Sequence, residues 1–313
     1  MKAFVLAAGF GTRLRPLTEH LPKPLIPVLN VPSLFYTFFL LKEAGIRKII
    51  CNIHYHADAI VKFIESSCLP GLDITFSIEE EILGTGGGLK KCEKLLEEDD
   101  FLLVNSDIIT DIDFAALIDH HRRSGRHGTL VLHETPEAEE IGYVGVEGGL
   151  VRDFRNMRGT GLFSSLIYTG TAVLGPEIFR FLDNGFSSIV DTGFTGLIDN
   201  GGLGSFLHVG LWCDIGTIPN YRKANLGMTA RLAALGDRME QAIGMRPELI
   251  SAETEIAPDA TVTGSVIGKN CRIGRGAAVS GSILLPGTTV PDNSIVSDAV
   301  ADPFGIIPFQ TAT

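Results

Sequence analysis

From the amino terminus to residue 133, five short apolar runs alternate with stretches of helical spacing. No other feature restricts the fold of this chain as strongly. The runs are Met1–Ala8, Arg47–Ile53, Asp73–Ile78, Phe101–Asn105 and Gly128–His133. Between them lie a helical stretch opened by Pro32 and closed by Gly45, one over Ala57–Ser66, one over Gly88–Glu97, and one capped by Asp111 that runs to Arg123. Proline suits a first helical position, where its missing N–H has no partner to lose, and glycine ends a helix by taking positive φ. Such alternation predicts a mostly parallel, doubly wound sheet. Residues 142–174 break it with three strands, Tyr143–Val146, Val151–Phe154 and Leu166–Leu174, which predict an antiparallel extension over one side of a site. Helices near 176–183 and 188–199, a strand at 205–212 and a long helix over Asn220–Leu235 follow.

The pattern changes near residue 254. Ile256, Val262, Ile267, Ile273 and Val279 recur at close to six residues, with small and polar residues between them. This spacing is that of a parallel β-helix built from hexapeptides, although a β-rich tail with chance spacing fits the same few positions. So few turns bury little alone, so they are expected to pack on the rest of the chain or on a second subunit.

The first run empties into Gly9-Phe10-Gly11-Thr12-Arg13-Leu14-Arg15-Pro16, and Pro22-Lys23-Pro24 follows. In an open α/β sheet, ligands sit beyond the carboxyl ends of the strands, and glycines let backbone N–H groups approach phosphate oxygens. Ala7, Ala8, Gly9, Gly11, Thr12 and Arg13 are therefore candidate nucleotide contacts. Gly-x-Gly alone fits an ordinary tight turn equally well. Arg13 can grip phosphate as a fork, and Lys23 as a mobile point charge. Asp107 ends the Phe101–Asn105 run, where a carboxylate can hold Mg²⁺ or simply cap a turn. Glu79 precedes Gly84, Thr85 and Gly86. A carboxylate there could accept the paired donors of guanine or only solvate a loop.

A net charge of −11 argues against a nucleic-acid surface, which needs basic stripes, but leaves anionic small substrates open. No apolar run approaches the ~18 residues of a membrane span, and the amino-terminal run is too short for a signal peptide. Cysteines 51, 68, 92, 213 and 271 are scattered, as expected for reduced thiols in a cytoplasmic protein without a zinc site. His54 and His56 lack a nearby carboxylate or thiolate and read as loop residues.

Taken together, GxGTRLRPLT followed by PKPLIPV resembles the signature of the sugar-1-phosphate nucleotidyltransferases, and the PKPLIPV wording looks more like the guanylyl- and uridylyltransferases of the mannose-1-phosphate type. Trp212-Cys213-Asp214-Ile215-Gly216-Thr217 followed by Asn220-Tyr221 resembles a second family motif, with its proline one place late at Pro219. The resemblance implies a fold, an activity and roles. The fold is α/β: a Rossmann-like doubly wound mixed sheet over 1–228, a linker helix over 229–253, a short left-handed parallel β-helix over 254–300 and a tail over 301–313. The activity is transfer of a nucleotidyl group from a nucleoside triphosphate (NTP) to a sugar 1-phosphate, with GTP and mannose 1-phosphate favoured and UTP or another hexose 1-phosphate also admitted. Arg13, Lys23 and Asp107 would be catalytic, and Asp107 and Asp214 would hold Mg²⁺. Glu79, Gly84, Thr85 and Gly86 would join the nucleotide contacts. Asn105, Gly142, Asn156, Thr169 and Gly170 would meet the sugar. A homo-oligomer, dimer or higher, is expected, with no nucleic-acid or membrane partner.

One stretch departs from the family. Where the family has Glu-Lys before the sugar site, Asn156 and Met157 stand here. Asn can still hydrogen-bond a hydroxyl, but Met cannot pair with a phosphate; Arg152, Arg155 or Arg158 could supply that charge. The change also admits a non-catalytic, NDP-sugar-binding regulatory subunit of the same fold. An acyltransferase would need a histidine in the tail, and residues 254–300 contain none.

Overall fold

The computed structural model describes residues 1–67 and 69–309, so the expectation for Cys68 lies outside the described residues. The chain forms two compact units, Met1–Phe10 with Thr37–Trp212, and Gly11–Tyr36 with Cys213–Thr313.

The first unit is built on nine strands: β1 Lys2–Leu6, β2 Lys48–Ile53, β3 Asp73–Ile78, β4 Phe101–Asn105, β5 Gly128–Glu134, β6 Val144–Glu147, β7 Leu150–Phe154, β8 Leu166–Leu174 and β9 Leu203–His208. Their order in the sheet is β3-β2-β1-β4-β8-β5-β9-β7-β6. β3, β2, β1 and β4 are parallel, and β8 runs antiparallel to β4 and β5. β9 is parallel to β5, and the β6–β7 hairpin closes the edge antiparallel. The sheet is thus mixed, with the expected antiparallel extension at 144–174. Gly148 and Gly149, both at positive φ, make the two-residue hairpin turn that suits strand twist. Phe4 pairs with Ile50 and Leu103, and these three are buried with Leu89, Leu130, Leu132 and Leu174. Strands covered on both faces read as continuous apolar runs, which is why they were legible.

Helices occupy α1 Ser33–Glu43, α2 Ala57–Ser66, α3 Gly84–Lys91 and α4 Phe114–Ser124. Two begin away from their expected positions. α4 is capped by Asp113, which accepts the Ala116 N–H at 2.9 Å, while Asp111 instead accepts the Leu211 N–H at 2.6 Å. α3 starts at Gly84, four residues before the expected Gly88. The expected long helix over 220–235 is helical from Ile218, but it passes from α winding over Ile218–Arg222 to wider π winding over Lys223–Gly227 and resumes as α over Thr229–Ala233 after Met228. Buried Asn225 lies in the wider-wound stretch: its Oδ1 accepts the Leu29 N–H at 2.9 Å and its Nδ2 donates to the Tyr221 carbonyl at 3.1 Å. Side-chain bonds of this kind compete with the helical ladder.

In the second unit the tail forms coils with three parallel faces. Ile256, Ile273 and Val290 stack on one face, Val262, Val279 and Val296 on the next, and Ile267, Leu284 and Ala301 on the third. Paired residues are 17 apart throughout. The later members of each stack form a buried core, whereas Ile256 in the first coil is 38% exposed. The third face runs to Asp302, past the expected end at 300, and Gly305–Pro308 folds back against it antiparallel. The hairpin Pro27–Val28/Val31–Pro32 packs within this unit: Asn30 Nδ2 donates to the carbonyls of Glu248 and Ile267, and Tyr221 Oη donates to Pro27. Among the described residues no helix is long and apolar enough to cross a membrane.

Candidate active site

In the first unit, the carboxyl ends of the central strands carry a buried polar chain. The Ala7 N–H, just past β1, donates to Asn52 Oδ1 at 2.9 Å. Asn52 Nδ2 donates to Glu79 Oε1 at 2.7 Å, and Glu79 Oε2 accepts the Leu83 N–H at 2.9 Å, one residue before α3. Asn52 is 1% exposed and Glu79 3%. The carboxylate expected to face a nucleobase therefore has a protein donor on each oxygen and ties β1 to the start of α3. Gly88 accommodates this chain, since a Cβ there would lie 2.6 Å from Glu79 Oε1.

The glycines that open α3 face residues 185–189. The Gly86 N–H donates to the Ser187 carbonyl at 2.9 Å, and Thr85 Oγ1 accepts the Ile189 N–H at 2.9 Å. A Cβ on Gly84 or Gly86 would sit 2.5 Å from Ser187, and one on Gly87 would overlap the Gly185 carbonyl. Main-chain contact, rather than helix propensity, sets the start of this helix.

Asn105 ends β4 beside Leu6 of β1, and the next N–H, of Ser106, donates to the Leu6 carbonyl at 3.1 Å. Asp107 follows directly. The Asn105 side chain lies over Gly170, whose Cβ would be 2.7 Å from its amide nitrogen. Thr169 is buried; its hydroxyl donates to the Val131 carbonyl at 3.0 Å, and its own carbonyl accepts Trp212 Nε1–H at 3.0 Å. Gly142, at φ +123, lies against the Arg155 guanidinium. Asn156 Oδ1 accepts the Gly161 N–H at 2.9 Å. This turn hangs on buried Asp153, which accepts the N–H groups of Arg158 and Thr160 and the Thr160 hydroxyl. Burial alone would raise the Asp153 pKa, but these hydrogen bonds outweigh it and hold the carboxyl below its ordinary value.

In the second unit, three charged side chains meet around Gly216. Asp214 Oδ1 accepts the Gly216 N–H at 2.6 Å; Arg13 Nη2 lies 3.5 Å from Oδ2, and Lys23 Nζ 3.9 Å from Oδ1. A Cβ on Gly216 would come within 2.8 Å of Arg13 Nη2 and 3.0 Å of Lys23 Nζ, so glycine is what lets the three converge. Gly11 takes φ +66 ahead of the turn Thr12–Leu14, and its carbonyl accepts the Thr18 hydroxyl at 2.9 Å. Arg13 is 63% exposed on its side chain, open to an incoming anion. Among the described residues no three His, Cys, Asp or Glu side chains form a metal cluster.

Asn52, Ser187, Asp153 and the placement of Arg155 were not singled out from the sequence. Only Asn52 left a signal there, standing at the carboxyl end of the strand beside β1.

Residues 2–231 match the model of a family described as nucleotidyl transferase, and residues 234–312 match that of a GlmU-like, C-terminal hexapeptide family. Mannose-1-phosphate guanyltransferase 2 of Candida glabrata is 32% identical over 268 residues, 84% of this chain and 71% of that protein. The mannose-1-phosphate guanyltransferase of Aspergillus fumigatus is 32% identical over 87% of this chain and 74% of that protein. The match to the Debaryomyces hansenii mannose-1-phosphate guanyltransferase spans 61% of that protein's length. A structure from Bacillus anthracis, assigned as a glucose-1-phosphate thymidylyltransferase and in complex with a sucrose, superposes with a TM-score of 0.65 at 23% identity, covering 72% of this chain and 94% of that one. This likeness concerns the fold alone.

Proposed function

The chain belongs to the nucleotidyl transferase family, and on that premise we propose that it joins an NTP to a sugar 1-phosphate, forming an NDP-sugar and releasing pyrophosphate. The names of its relatives favour GTP and mannose 1-phosphate. A phosphate oxygen of the sugar 1-phosphate attacks the α-phosphorus, the bond to the bridging oxygen breaks, and pyrophosphate departs. No protein nucleophile is required, so catalysis consists of positioning and charge neutralisation.

The observation that carries this reading is the convergence of Arg13, Lys23 and Asp214 at Gly216. Two cations beside one carboxylate can turn to phosphate oxygens when a triphosphate arrives, leaving the carboxylate for a metal. Asp107 and Asp214 are the proposed Mg²⁺ ligands. Their oxygens are hard donors, which suit Mg²⁺, an ion usually bound through one or two carboxylates together with waters and substrate phosphates. When bound, the ion would neutralise charge on the α-phosphate and orient the attacking oxygen. Ala7, Ala8, Gly9, Gly11 and Thr12 would cradle the triphosphate. The Asn52–Glu79 chain would hold the start of α3, so that Gly84 and Thr85 stand at a fixed height beside the nucleotide. Asn105, Gly142, Asn156 and Gly170 would meet the sugar, with Thr169 contributing through its backbone. The exposed first coil of the tail fits assembly with a second copy.

A panel of NTPs against sugar 1-phosphates, read by pyrophosphate release across a Mg²⁺ titration, tests the reading. We expect GTP with mannose 1-phosphate to turn over, and Asp107→Asn or Asp214→Asn to abolish turnover with the fold intact by circular dichroism. Wild-type rates in both variants would remove the metal assignment. Met157, 66% exposed where the family has lysine, favours one other reading, a non-catalytic NDP-sugar sensor. NDP-sugar binding without pyrophosphate release from any pair would establish it.

A further inference from the structure

A sugar 1-phosphate brings a phosphate dianion to the sugar side of the site, and Met157 cannot pair with it. Three arginines flank that methionine. Arg152 Nε lies 3.7 Å from Glu147, and Arg158 is ion-paired to Asp199. Arg155 is placed differently. Its φ is +51 and that of Asn156 is +54, so the chain leaves β7 through two successive left-handed residues, a conformation L side chains seldom hold without a compensating need. The turn is enforced by the carboxylate of Asp153 and the carboxamide of Asn156. Its effect is to lay the Arg155 guanidinium across Gly142, where a Cβ would overlap Nε and come within 2.9 Å of Nη2. Nη2 donates to the Ile141 carbonyl. A carbonyl takes one N–H and cancels no charge, and among the described residues Arg155 has no carboxylate partner. Four N–H donors and a full positive charge remain, exposed beside the glycine expected to meet the sugar.

We propose that Arg155 binds the phosphate of the sugar 1-phosphate substrate, taking over from the lysine that Met157 replaces. The proposal rests on the nucleotidyl-transfer reading above. A planar fork grips phosphate through two N–H groups, which a lysine cannot do. Gly142 acquires a reason beyond its own backbone, since any side chain there would expel the guanidinium.

The test uses the full chain with the pair that turns over fastest in the panel, beginning with GTP and mannose 1-phosphate. Arg155→Ala is expected to raise KM for the sugar 1-phosphate at least tenfold while KM for the NTP stays within twofold. Arg155→Lys should recover part of the loss. Met157→Lys added to Arg155→Ala should also recover part, because it restores a cation at the family's position and shows that the loss is not one of folding. If wild type turns over but Arg155→Ala leaves KM for the sugar 1-phosphate within twofold, or raises both KM values equally, the Arg155 assignment is overturned and the transfer reading stands. If no pair turns over in wild type, the transfer reading itself fails.

Discussion

Lys23 illustrates how much a single side chain is asked to do. It stands 3.9 Å from Asp214 with little of its side chain exposed, so its charge is only weakly shielded by water. Replacing it with Ala should lower kcat by about 10²–10³-fold, on the order of 3 kcal/mol of transition-state stabilisation, with the melting temperature nearly unchanged. Steady-state kinetics beside a thermal melt checks this, and near-wild-type kcat would show the lysine to be structural. Asp153 belongs to the opposite kind, a residue whose work is structural. Its folded pKa is depressed, so its contribution to stability is complete above the unfolded value of about 3.9 and is lost as pH falls through the lower folded value. Asp153→Asn should therefore cost about 1–3 kcal/mol at neutral pH and flatten the acid limb of a melting-temperature profile below about pH 4. An acid limb as steep as in wild type would remove this carboxylate from the explanation. Arg13, Lys23 and Asp214 were legible because motif residues state their own chemistry. Glu79 and Arg155 were not. The burial of the first depends on Asn52 from another strand, and the direction of the second depends on a backbone angle that no side-chain pattern encodes.

Elements were legible wherever burial alone decided them. β1 to β5 and α2 fall at or within a few residues of the apolar runs, because hydrophobic periodicity and strand burial are the same fact seen twice. Misplacements arose where tertiary hydrogen bonds compete with local preference. Asp111 and Asp113 are equally good caps on paper, and the Leu211 N–H takes the first. Asn225 serves Leu29 as well as the Tyr221 carbonyl of its own helix, and there the winding widens from α to π. α3 is the sharpest case, since four glycines ought not to open a helix, yet residues 185–189 dock on their bare backbone. Gly87→Ala should then displace the Gly185 carbonyl and cost about 1–3 kcal/mol, weakening NTP binding in parallel. Gly185→Ala, whose Cβ meets nothing within 4 Å, is expected to change stability by less than about 0.5 kcal/mol. Denaturant melts of the two variants decide the matter, and equal stabilities would show that the docking is loose.

The molecule divides otherwise than the sequence suggests. The segment 11–36, which bears Arg13 and Lys23, belongs to the same unit as the tail coils rather than to the sheet that precedes it. Asn30, at φ +66, is the link, with its two bonds to the carbonyls of Glu248 and Ile267. Asn30→Ala loses both bonds and a residue type at ease in the left-handed region, and should cost about 1–3 kcal/mol. Removal of residues 254–309 should therefore raise KM for the NTP as well as lower the melting temperature. A truncated chain with unchanged NTP kinetics would show that the segment holds its shape unaided. The coil repeat carries a different implication. Because every face returns after the same 17 residues, the tail has a natural unit of length. Duplicating Gly268–Leu284 after Leu284 would extend it by one strand spacing, about 4.8 Å, with each inward side chain still inward. A duplication one residue longer or shorter would turn the following face outward. The reach of this appendage is thus graduated like a ruler, adjustable in whole divisions while its cross-section stays constant.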